Sequence, residues 1–228
     1  MPKTIMDGGR EVPNIESSLR RHILEMPLEI WKASGIFIWG RRIRSLVFTT
    51  DIAIIRNCNA DAVLAVYPFT PQQVISNMII QGSYIPVFAG VGGGTTQGPR
   101  TEQLAMDAEA QGAMGVVVNA PMPNDNIANI AGHIDIPIVV TVLSEKTDIT
   151  ARIEAGASIL NVSAALRTPF VVESIRRDFP DIPIIATGGP TNDSVKATID
   201  AGANAVSYTP PSTKELFSDM MQEYRDRE

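Results

Sequence analysis

The stretch IPIIATGGPTNDSVKATIDAGANAVSYT, residues 182–209, contains a complete strand–helix–strand unit. Ile182-Pro183 opens an apolar run, and proline at the first residue of a strand removes no hydrogen bond that the sheet needs. Gly202-Ala203 follows the helical segment, and glycine just past a helix adopts the left-handed conformation that ends it. Two apolar strands joined by one helix predict a βαβ unit with parallel strands.

The same two strand openings alternate along most of the chain. Ile-Pro recurs at 85 and 136, and a small residue followed by alanine recurs at 59, 112 and 156. The predicted strands are 45–50, 61–67, 85–90, 114–119, 136–141, 158–163, 182–187 and 204–209, each followed by a helical stretch. Eight such units predict a single-domain α/β fold, the (β/α)8 or TIM barrel. A doubly wound open sheet is the alternative.

The first part of the chain, residues 1–44, precedes the repeat, and the barrel is predicted over 45–228. The apolar pattern of 15–31 predicts a helix, an N-terminal helical extension that plugs or braces the bottom of the barrel. We therefore expect one structural domain overall. Trp31, Phe37 and Trp39 are interpreted either as part of the plug or as a patch for a homo-oligomer.

The composition favours a metabolite as the partner. Hydrophobic residues make up 44% of the chain, and the formal net charge is −6, with basic residues scattered through the helices. This charge argues against nucleic acid. A single cysteine, a start without an apolar signal segment and the lack of a long apolar run lead us to expect a cytoplasmic protein without membrane contact.

Polar residues gather at the carboxyl ends of the predicted strands, whose interiors are apolar. The chemistry of TIM barrels takes place at that end, the mouth of the barrel. Residues two apart share a face of a strand, so polar pairs with this spacing point the same way. The predicted ligand-binding residues are Asn161, Ser163, Thr187, Ser207 and Thr209, and the predicted catalytic residues are Asp51, Tyr67 and Asn119.

Asp51 directly follows the first strand, and two roles are open for it. A carboxylate with apolar neighbours has a pKa suited to moving a proton at neutral pH. Alternatively, Asp51 caps the short helix that begins DIAIIRN. Mg²⁺ held by Asp51 and water is a further alternative, because Mg²⁺ needs only oxygen ligands. FMN is the least favoured cofactor, and it enters only because FMN barrels also seat a phosphate after strands 7 and 8.

Two glycine clusters follow predicted strands. Gly188-Gly189 precedes a helix, and backbone N–H groups near a helix N-terminus bind anions such as phosphate. The run Gly92-Gly93-Gly94-Thr95 follows the third strand. It predicts a loop that wraps an anion or closes over the mouth, with a loop that binds no ligand as the alternative.

The stretch 182–208, IPIIATGGPTNDSVKATIDAGANAVSY, resembles the phosphate-binding segment between strands 7 and 8 of the ribulose-phosphate-binding barrel superfamily. The resemblance implies a phosphate held by Gly188, Gly189 and the backbone at the end of strand 8. Here Pro210-Pro211 follows that strand, and proline has no N–H to donate. Hydroxyl groups of Tyr208, Ser212 and Thr213 are the expected replacements.

The stretch 86–123, PVFAGVGGGTTQGPRTEQLAMDAEAQGAMGVVVNAPMP, is similar to strands 3 to 4 of the dihydrodipicolinate synthase and N-acetylneuraminate lyase family. This likeness implies that residues 92–96 bind a keto-acid carboxylate. Such aldolases need a lysine on a strand to form a Schiff base. No lysine of this chain lies in a predicted strand, so we expect no Schiff-base chemistry.

Two functions remain open. The first is an enzyme, of lyase, isomerase or hydrolase type, that acts on a small phosphorylated or carboxylated metabolite by acid–base or Mg²⁺-assisted chemistry. The second is a degenerate barrel that senses a ligand as a regulator, because GRRIRSLVFTTD at 40–51 resembles the glycerol-3-phosphate antiterminator family. An arginine patch away from the mouth favours the regulator. Arg100 or Arg167 at the mouth favours anion chemistry.

Overall fold

The structure, a computed structural model, describes residues 3–7, 9–15, 17–18 and 23–227. Two short hairpins precede eight parallel strands. The hairpins are β1 Lys3–Asp7 with β2 Arg10–Asn14, and β3 Ile36–Ile38 with β4 Arg41–Ile43. The parallel strands are β5 Ser45–Phe48, β6 Ala62–Ala65, β7 Val87–Gly92, β8 Gly115–Val118, β9 Ile138–Val142, β10 Ile159–Val162, β11 Ile184–Thr187 and β12 Ala205–Tyr208.

A helix follows each parallel strand. The α-helices are α1 Ile52–Arg56, α2 Gln73–Gly82, α3 Pro99–Ala110, α4 Asn124–Ala131, α5 Ile149–Glu154, α6 Thr168–Asp178, α7 Asn192–Asp200 and α8 Thr213–Arg225. Two 3-10 helices lie at Leu28–Lys32 and Ala165–Arg167. Within the described part of the chain, no helix has both the length and the apolar character needed to cross a membrane.

The parallel strands close into a barrel because β12 pairs with both β11 and β5. The closing register places Val206 beside Ser45 and Tyr208 beside Val47. All eight predicted strands and the TIM barrel are therefore confirmed, and the open doubly wound sheet is wrong. Since the strands are parallel, their carboxyl ends form one rim, the mouth of the barrel.

Side chains alternate between the lumen of the barrel and the surrounding helices. One apolar residue from each strand fills the lower lumen: Leu46, Leu64, Phe88, Val117, Val139, Ile159, Ile185 and Ala205. Phe88 is the bulkiest of these, and its ring is fully buried. A Cβ atom at Gly115 would lie 2.8 Å from Phe88 Cδ1, so the glycine on the neighbouring strand provides the space for the ring.

The predicted helix over 15–31 is wrong for its described residues from 23 onward. Residues 23–27 form no helix, and one 3-10 helix follows at Leu28–Lys32. Leu24 instead pairs with the segment after α1, since its N–H donates to Asn57 O at 2.8 Å and its carbonyl accepts from Asn59 N at 3.2 Å. Pro27 explains the difference, because proline disfavours helix before it and has no N–H. Residues 16 and 19–22 lie outside the described chain.

The bottom of the barrel is closed by the β3–β4 hairpin rather than by a helix. Ile36, Ile38 and Ile43 join the lumen cluster from below. The backbone N–H of Gly35 donates to the carbonyl of Asn204, which directly precedes β12, at 2.7 Å. The hairpin leads into β5 and is bonded to the start of β12, so it braces the two strands that close the barrel.

The three aromatic residues near the start do not form the plug. Trp31 is half-buried, and the guanidinium group of Arg44 lies 4.9 Å from its ring. Phe37 and Trp39 are 71% and 66% exposed. A homo-oligomer patch at these two side chains therefore remains a prediction.

The packing of the lower lumen predicts a large effect for Phe88→Ala. We expect it to lower the free energy of unfolding by about 3–5 kcal/mol, because it removes a buried ring and leaves a cavity. Gly115→Ala should cost about 1–3 kcal/mol through overpacking against the same ring. Urea denaturation checks both, with Phe217→Ala on the exposed side of α8 as the control. A loss below about 1 kcal/mol for Phe88→Ala would contradict this packing.

Candidate functional site

The next inward-facing residue of each strand, toward its carboxyl end, belongs to a ring that we call the mouth layer. The alternation of faces assigns to it Phe48, Val66, Gly90, Asn119, Thr141, Asn161, Thr187 and Ser207. None of these side chains carries a charge at neutral pH. Thr141, Asn161 and Ser207 are nevertheless buried, at 7%, 7% and 6% exposure. The mouth layer is therefore polar and neutral on one side, from β8 to β12, and apolar or bare from β5 to β7.

A chain of hydrogen bonds runs along the polar side of the mouth layer. Asn161 Nδ2 donates to Thr141 Oγ1 at 3.3 Å, and Thr141 Oγ1 donates to Asn119 Oδ1 at 3.0 Å. Asn119 is half-buried and keeps its Nδ2 as a donor, whereas Asn161 keeps its Oδ1 as an acceptor. The predicted residues Asn119 and Asn161 are thus brought together. Thr141, another of the polar residues that end the predicted strands, links the two amides from the strand between them.

A cavity of about 280 Å³, the glycine-loop cavity, opens between the ends of β6, β7 and β8. Its lining includes the predicted residues Tyr67, Asn119 and 92–95. Tyr67 is half-buried, and its hydroxyl oxygen accepts a hydrogen bond from Gln72 N at 2.9 Å. The phenolic proton of Tyr67 is therefore available to a molecule in this cavity.

The glycine loop is folded tightly onto the neighbouring strand. Gly93 N donates to Thr96 O at 2.9 Å, and Gly94 N donates to Pro121 O at 3.2 Å. Gly93 has φ +124°, and a Cβ atom there would lie 2.5 Å from Asn119 O. The loop needs glycine for this close approach. Two of its N–H groups already donate hydrogen bonds to carbonyl groups of the protein. A wrapped anion therefore has fewer donors here than glycine content alone suggests.

A second cavity of about 540 Å³, the β11–β12 cavity, opens on the opposite side of the mouth. Four predicted residues line it: Thr187, Gly189, Ser207 and Thr209. Gly189 has φ +74°, and its N–H has no acceptor among the described residues. With Tyr208, which also lines it, this cavity brings four hydroxyl-bearing residues and one bare backbone N–H to one place at the end of two strands.

Gly188 has a different role from Gly189. Its N–H donates to Ser207 O at 3.2 Å, which continues the pairing of β11 with β12. A Cβ atom at Gly188 would lie 2.6 Å from Val206 Cγ1 and 2.9 Å from Val195 Cγ2. Gly188 therefore permits α7 to pack closely on the sheet, and Gly189 is the glycine that a ligand can reach.

The flanks of the β11–β12 cavity supply few further backbone donors. At the start of α7, Thr191 and Ser194 form a capping box that uses the N–H groups of both residues. Pro210 and Pro211 line the cavity without an N–H. Glu215 is the acidic residue of the lining, and its Oε2 accepts hydrogen bonds from Ser212 Oγ and Ser212 N, both at 2.7 Å, which lower the pKa of Glu215.

Asp51 caps α1, the second of its two anticipated roles. Asp51 Oδ1 accepts hydrogen bonds from Ala53 N at 2.8 Å and Ile54 N at 3.4 Å. Asp51 Oδ2 accepts a hydrogen bond from the hydroxyl of Thr213, at the start of α8. The bond from Thr213 is the main cause that lowers the pKa of Asp51. Burial, the next largest cause, raises this pKa, and the two backbone bonds lower it further. Asp51 is therefore held as a carboxylate, which makes it a weak base.

The donor groups near Asp51 do not fit a resident Mg²⁺ ion. Both carboxyl oxygens of Asp51 already accept hydrogen bonds. Across residues 3–7, 9–15, 17–18 and 23–227, no three side chains of His, Cys, Asp or Glu gather where they could hold a metal ion. A carboxylate-bound Mg²⁺ in proteins has one or two free carboxylates and ligand oxygens around it. We therefore derive no step through Mg²⁺.

Other charged groups lie at the edge of the mouth. Arg167, after β10, donates to Glu145 Oε1 at 2.8 Å, and its side chain is 60% exposed. Hydrogen bonds from the backbone N–H of Glu145 and from Arg167 lower the pKa of Glu145. Arg100 is exposed and, like Ser163, lies outside the linings of both mouth cavities. Arg167 is thus a cation at the edge of the mouth whose guanidinium group already has a carboxylate partner.

A larger cavity, of about 820 Å³, lies between α8, α1 and residues 23–25. Its lining is largely apolar, and three of its four charged residues are the acids Glu25, Asp219 and Glu223. This cavity is at the side of the barrel and away from the mouth layer. It is poorly suited to an anionic metabolite because its charges would repel one.

Comparison with solved structures shows the TIM-barrel fold. Phosphonopyruvate hydrolase in complex with oxalate and Mg²⁺ matches with a TM-score of 0.61 and 13% identity, over 83% of this chain and 83% of that one. The 4-hydroxy-tetrahydrodipicolinate synthase of Methylacidiphilum fumariolicum SolV matches with a TM-score of 0.57 and 16% identity, over 72% and 67%. Thiamine phosphate pyrophosphorylase of Pyrococcus furiosus matches with a TM-score of 0.56 and 17% identity, over 72% and 84%.

No family model and no curated protein matches the sequence. At 13–17% identity the structural likeness defines the fold alone. The chain is thus a TIM-barrel protein whose mouth carries a neutral polar layer and two cavities. Of the barrel groups named from sequence resemblance, the dihydrodipicolinate synthases are similar to it at the level of architecture.

The capping role of Asp51 predicts a pH-dependent contribution to stability. Asp51→Ala should lower the free energy of unfolding by about 1 kcal/mol at pH 7, and Asp51→Asn by less, because asparagine also caps helices. The pKa of Asp51 is lower in the folded chain than its unfolded value of about 3.9. Its charge-dependent stabilisation is therefore complete above that unfolded value and is lost as pH falls through the folded one.

Urea titrations of wild type and Asp51→Asn between pH 7 and pH 2.5 measure this dependence. The difference in free energy of unfolding between wild type and Asp51→Asn should become smaller below about pH 4. Thr213→Val removes the main cause of the lowered pKa of Asp51. In that background, the difference in free energy of unfolding should disappear at a higher pH. A difference that stays constant over the whole range would contradict the role assigned to Asp51.

Proposed function

We propose that the protein is an enzyme that binds a small phosphorylated or carboxylated metabolite at the mouth of the barrel. The observation that supports this most strongly is the β11–β12 cavity, where Thr187, Gly189, Ser207 and Thr209 converge. Hydroxyl groups and bare backbone N–H groups are the donors that bind phosphate and carboxylate oxygens. The reaction type that we propose is that of a lyase, isomerase or hydrolase without a Schiff base.

The structural neighbours support the same class of ligand at the level of the fold. Phosphonopyruvate hydrolase, in complex with oxalate, and thiamine phosphate pyrophosphorylase are named for phosphorylated or carboxylated compounds. In TIM barrels, loops after the seventh and eighth strands frequently hold phosphate. In this chain those strands are β11 and β12, which supports the β11–β12 cavity as the anion site.

The chemistry is proposed for the glycine-loop cavity. Tyr67 can donate its phenolic proton to a ligand there, because the Tyr67 oxygen is already oriented by the N–H of Gln72. Asn119 can hold a ligand oxygen through Nδ2, since its Oδ1 accepts from Thr141. We propose Tyr67 as the proton donor and Asn119 as the group that positions the substrate. Asp51 is not assigned a catalytic role, because its carboxylate caps α1.

A second candidate function is a barrel that senses an anionic ligand as a regulator. The specific observation in its favour is that no side chain of the mouth layer titrates near neutral pH. The arginines of the β3–β4 region give little support to the regulator, because they do not stand as a free basic patch. Arg42 donates to Ser34 O at 2.7 Å, and Arg44 lies 3.9 Å from Asp61, so both have local partners. Arg20 and Arg21 lie outside the described residues.

The anion site predicts stabilisation by phosphorylated or carboxylated compounds in a thermal-shift assay. Inorganic phosphate, ribose 5-phosphate, phosphoenolpyruvate and pyruvate are the probes. A probe at about 100 times its dissociation constant should add about 2.7 kcal/mol of stability. Gly189→Asp, which places a carboxylate on the cavity, should abolish the shift. Gly40→Asp is the matched control, because Gly40 has φ +78°, close to the +74° of Gly189, but lies at the barrel bottom.

Thr187→Val is the second variant for the same site. It is needed because a Cβ atom at Gly189 would lie 2.6 Å from Ser194 Oγ and disturb the cap of α7. Thr187→Val keeps the shape of the side chain and removes one donor, so the affinity should fall by about 3- to 10-fold. Unchanged shifts in both Thr187→Val and Gly189→Asp would place the anion elsewhere.

Turnover distinguishes the enzyme from the regulator. Each probe that binds is incubated with the protein and followed by NMR spectroscopy. The enzyme should convert at least one of them, and Tyr67→Phe should slow that conversion by about 100-fold or more while binding changes little. Binding without conversion of any bound probe would favour the regulator.

A further inference from the structure

Asn161 is the one member of the mouth layer with a buried polar atom that has no partner among the described residues. The residue is 7% exposed, and the atom is its amide oxygen, Oδ1. A buried acceptor without a hydrogen bond costs about 1–3 kcal/mol. In a functional cavity, such an atom marks the place where a ligand or an ordered water donates a hydrogen bond.

The neighbours of Asn161 cannot supply that donor. Thr141 on β9 gives its single hydroxyl proton to Asn119 Oδ1. On the other side, Thr187 on β11 is turned to the β11–β12 cavity and makes no hydrogen bond to Asn161. With Asn161 Nδ2 donating to Thr141 Oγ1, Oδ1 is the free end of the hydrogen-bonded chain. The hydrogen bond to Oδ1 therefore comes from a ligand or from an ordered water.

The missing partner is a hydrogen-bond donor rather than an anion. An amide oxygen carries partial negative charge, so a phosphate or carboxylate oxygen at this position would be repelled and would have no proton to donate at neutral pH. No cation belongs to the mouth layer that could offset this repulsion. A hydroxyl group or an N–H group of the ligand satisfies the atom, and it would take the place of any ordered water there.

The position of Asn161 relates this donor to the anion site. β10 pairs directly with β11, so Asn161 lies one strand away from Thr187 and two strands away from Ser207. Val66, on β6, lies across the lumen, four strands away around the barrel, and offers an apolar face. Asn161 itself lines neither mouth cavity, so a ligand whose anion occupies the β11–β12 cavity has to extend across the lumen, toward Val66, to reach it.

Resting on the proposed function, we infer that Asn161 determines specificity: the ligand is a phosphate ester that donates a free hydroxyl group to Asn161 Oδ1. A keto acid without a hydroxyl group leaves the atom unpaired. The ligand of the proposed function is thereby narrowed to a hydroxylated phosphate ester.

The test compares phosphate esters in pairs of equal chain length by calorimetric titration. The pairs are glycerol 3-phosphate with n-propyl phosphate, erythritol 4-phosphate with n-butyl phosphate, and ribose 5-phosphate with n-pentyl phosphate. In at least one pair the hydroxylated ester should bind at least about tenfold more tightly. Asn161→Leu should reduce that ratio to about one and leave the alkyl phosphate affinity within about threefold of wild type.

Two further variants control the experiment. Asn129→Leu makes the same change on the exposed side of α4, away from the mouth, and should keep the wild-type ratio. Asn161→Ala is the second variant at the site, in case leucine is too bulky there. If neither substitution at Asn161 folds, the wild-type ratios alone decide, because a ratio near one in every pair overturns the inference.

The outcomes separate the two proposals. Phosphate esters that bind equally with and without hydroxyl groups overturn the role of Asn161 and leave the anion site standing. A keto acid such as pyruvate that binds more tightly than every hydroxylated ester overturns the substrate class. If inorganic phosphate, the phosphate esters and pyruvate all fail to bind, the proposed function fails, and the inference fails with it. If Asn161→Leu still binds the hydroxylated ester at least about tenfold more tightly than the alkyl phosphate, the role of Asn161 is also contradicted.

Discussion

The packing of Phe88 against Gly115 across the lower lumen is the contact on which the functional end of the barrel depends. The ring is fully buried, and glycine on β8 is the residue that leaves room for it. With this layer filled, the lumen is a packed core, and only the layer above it can receive a ligand. Because side chains alternate along a strand, fixing the inward residue of the lower layer also fixes which residues face inward at the mouth.

The mouth layer has a polar side and an apolar side, and neither side carries a charge. On its polar side, hydrogen bonds join Asn119, Thr141 and Asn161, with a donor free at the Asn119 end, in the glycine-loop cavity, and an acceptor free at the Asn161 end. The hydrogen-bonded chain holds both amides in one orientation, so a ligand meets preset partners. Anion binding is left to hydroxyl groups and the N–H of Gly189, in a cavity without a basic side chain.

The barrel could be predicted from sequence because its strands begin with recurrent signals, as at Ile182-Pro183 and Gly202-Ala203, and all eight strands are confirmed. The N-terminal helix could not, because the apolar pattern of 15–31 is that of a helix, whereas Pro27 within it interrupts helical hydrogen bonding. At the site, spacing found Asn161 and Ser207, but no pattern reveals that one amide oxygen lacks a partner. Nor does glycine content show that the N–H groups of Gly93 and Gly94 are spent inside the loop.

We expect one ligand to span the β11–β12 cavity and Asn161. A crystal structure of the protein soaked with ribose 5-phosphate tests this directly. It should show a phosphate group bound by Gly189 N and the hydroxyls of Thr187 and Ser207, and a sugar hydroxyl at about 2.7–2.8 Å from Asn161 Oδ1. A sugar phosphate bound in the cavity between α1 and α8, or at the mouth with Asn161 Oδ1 still unpaired, would contradict it.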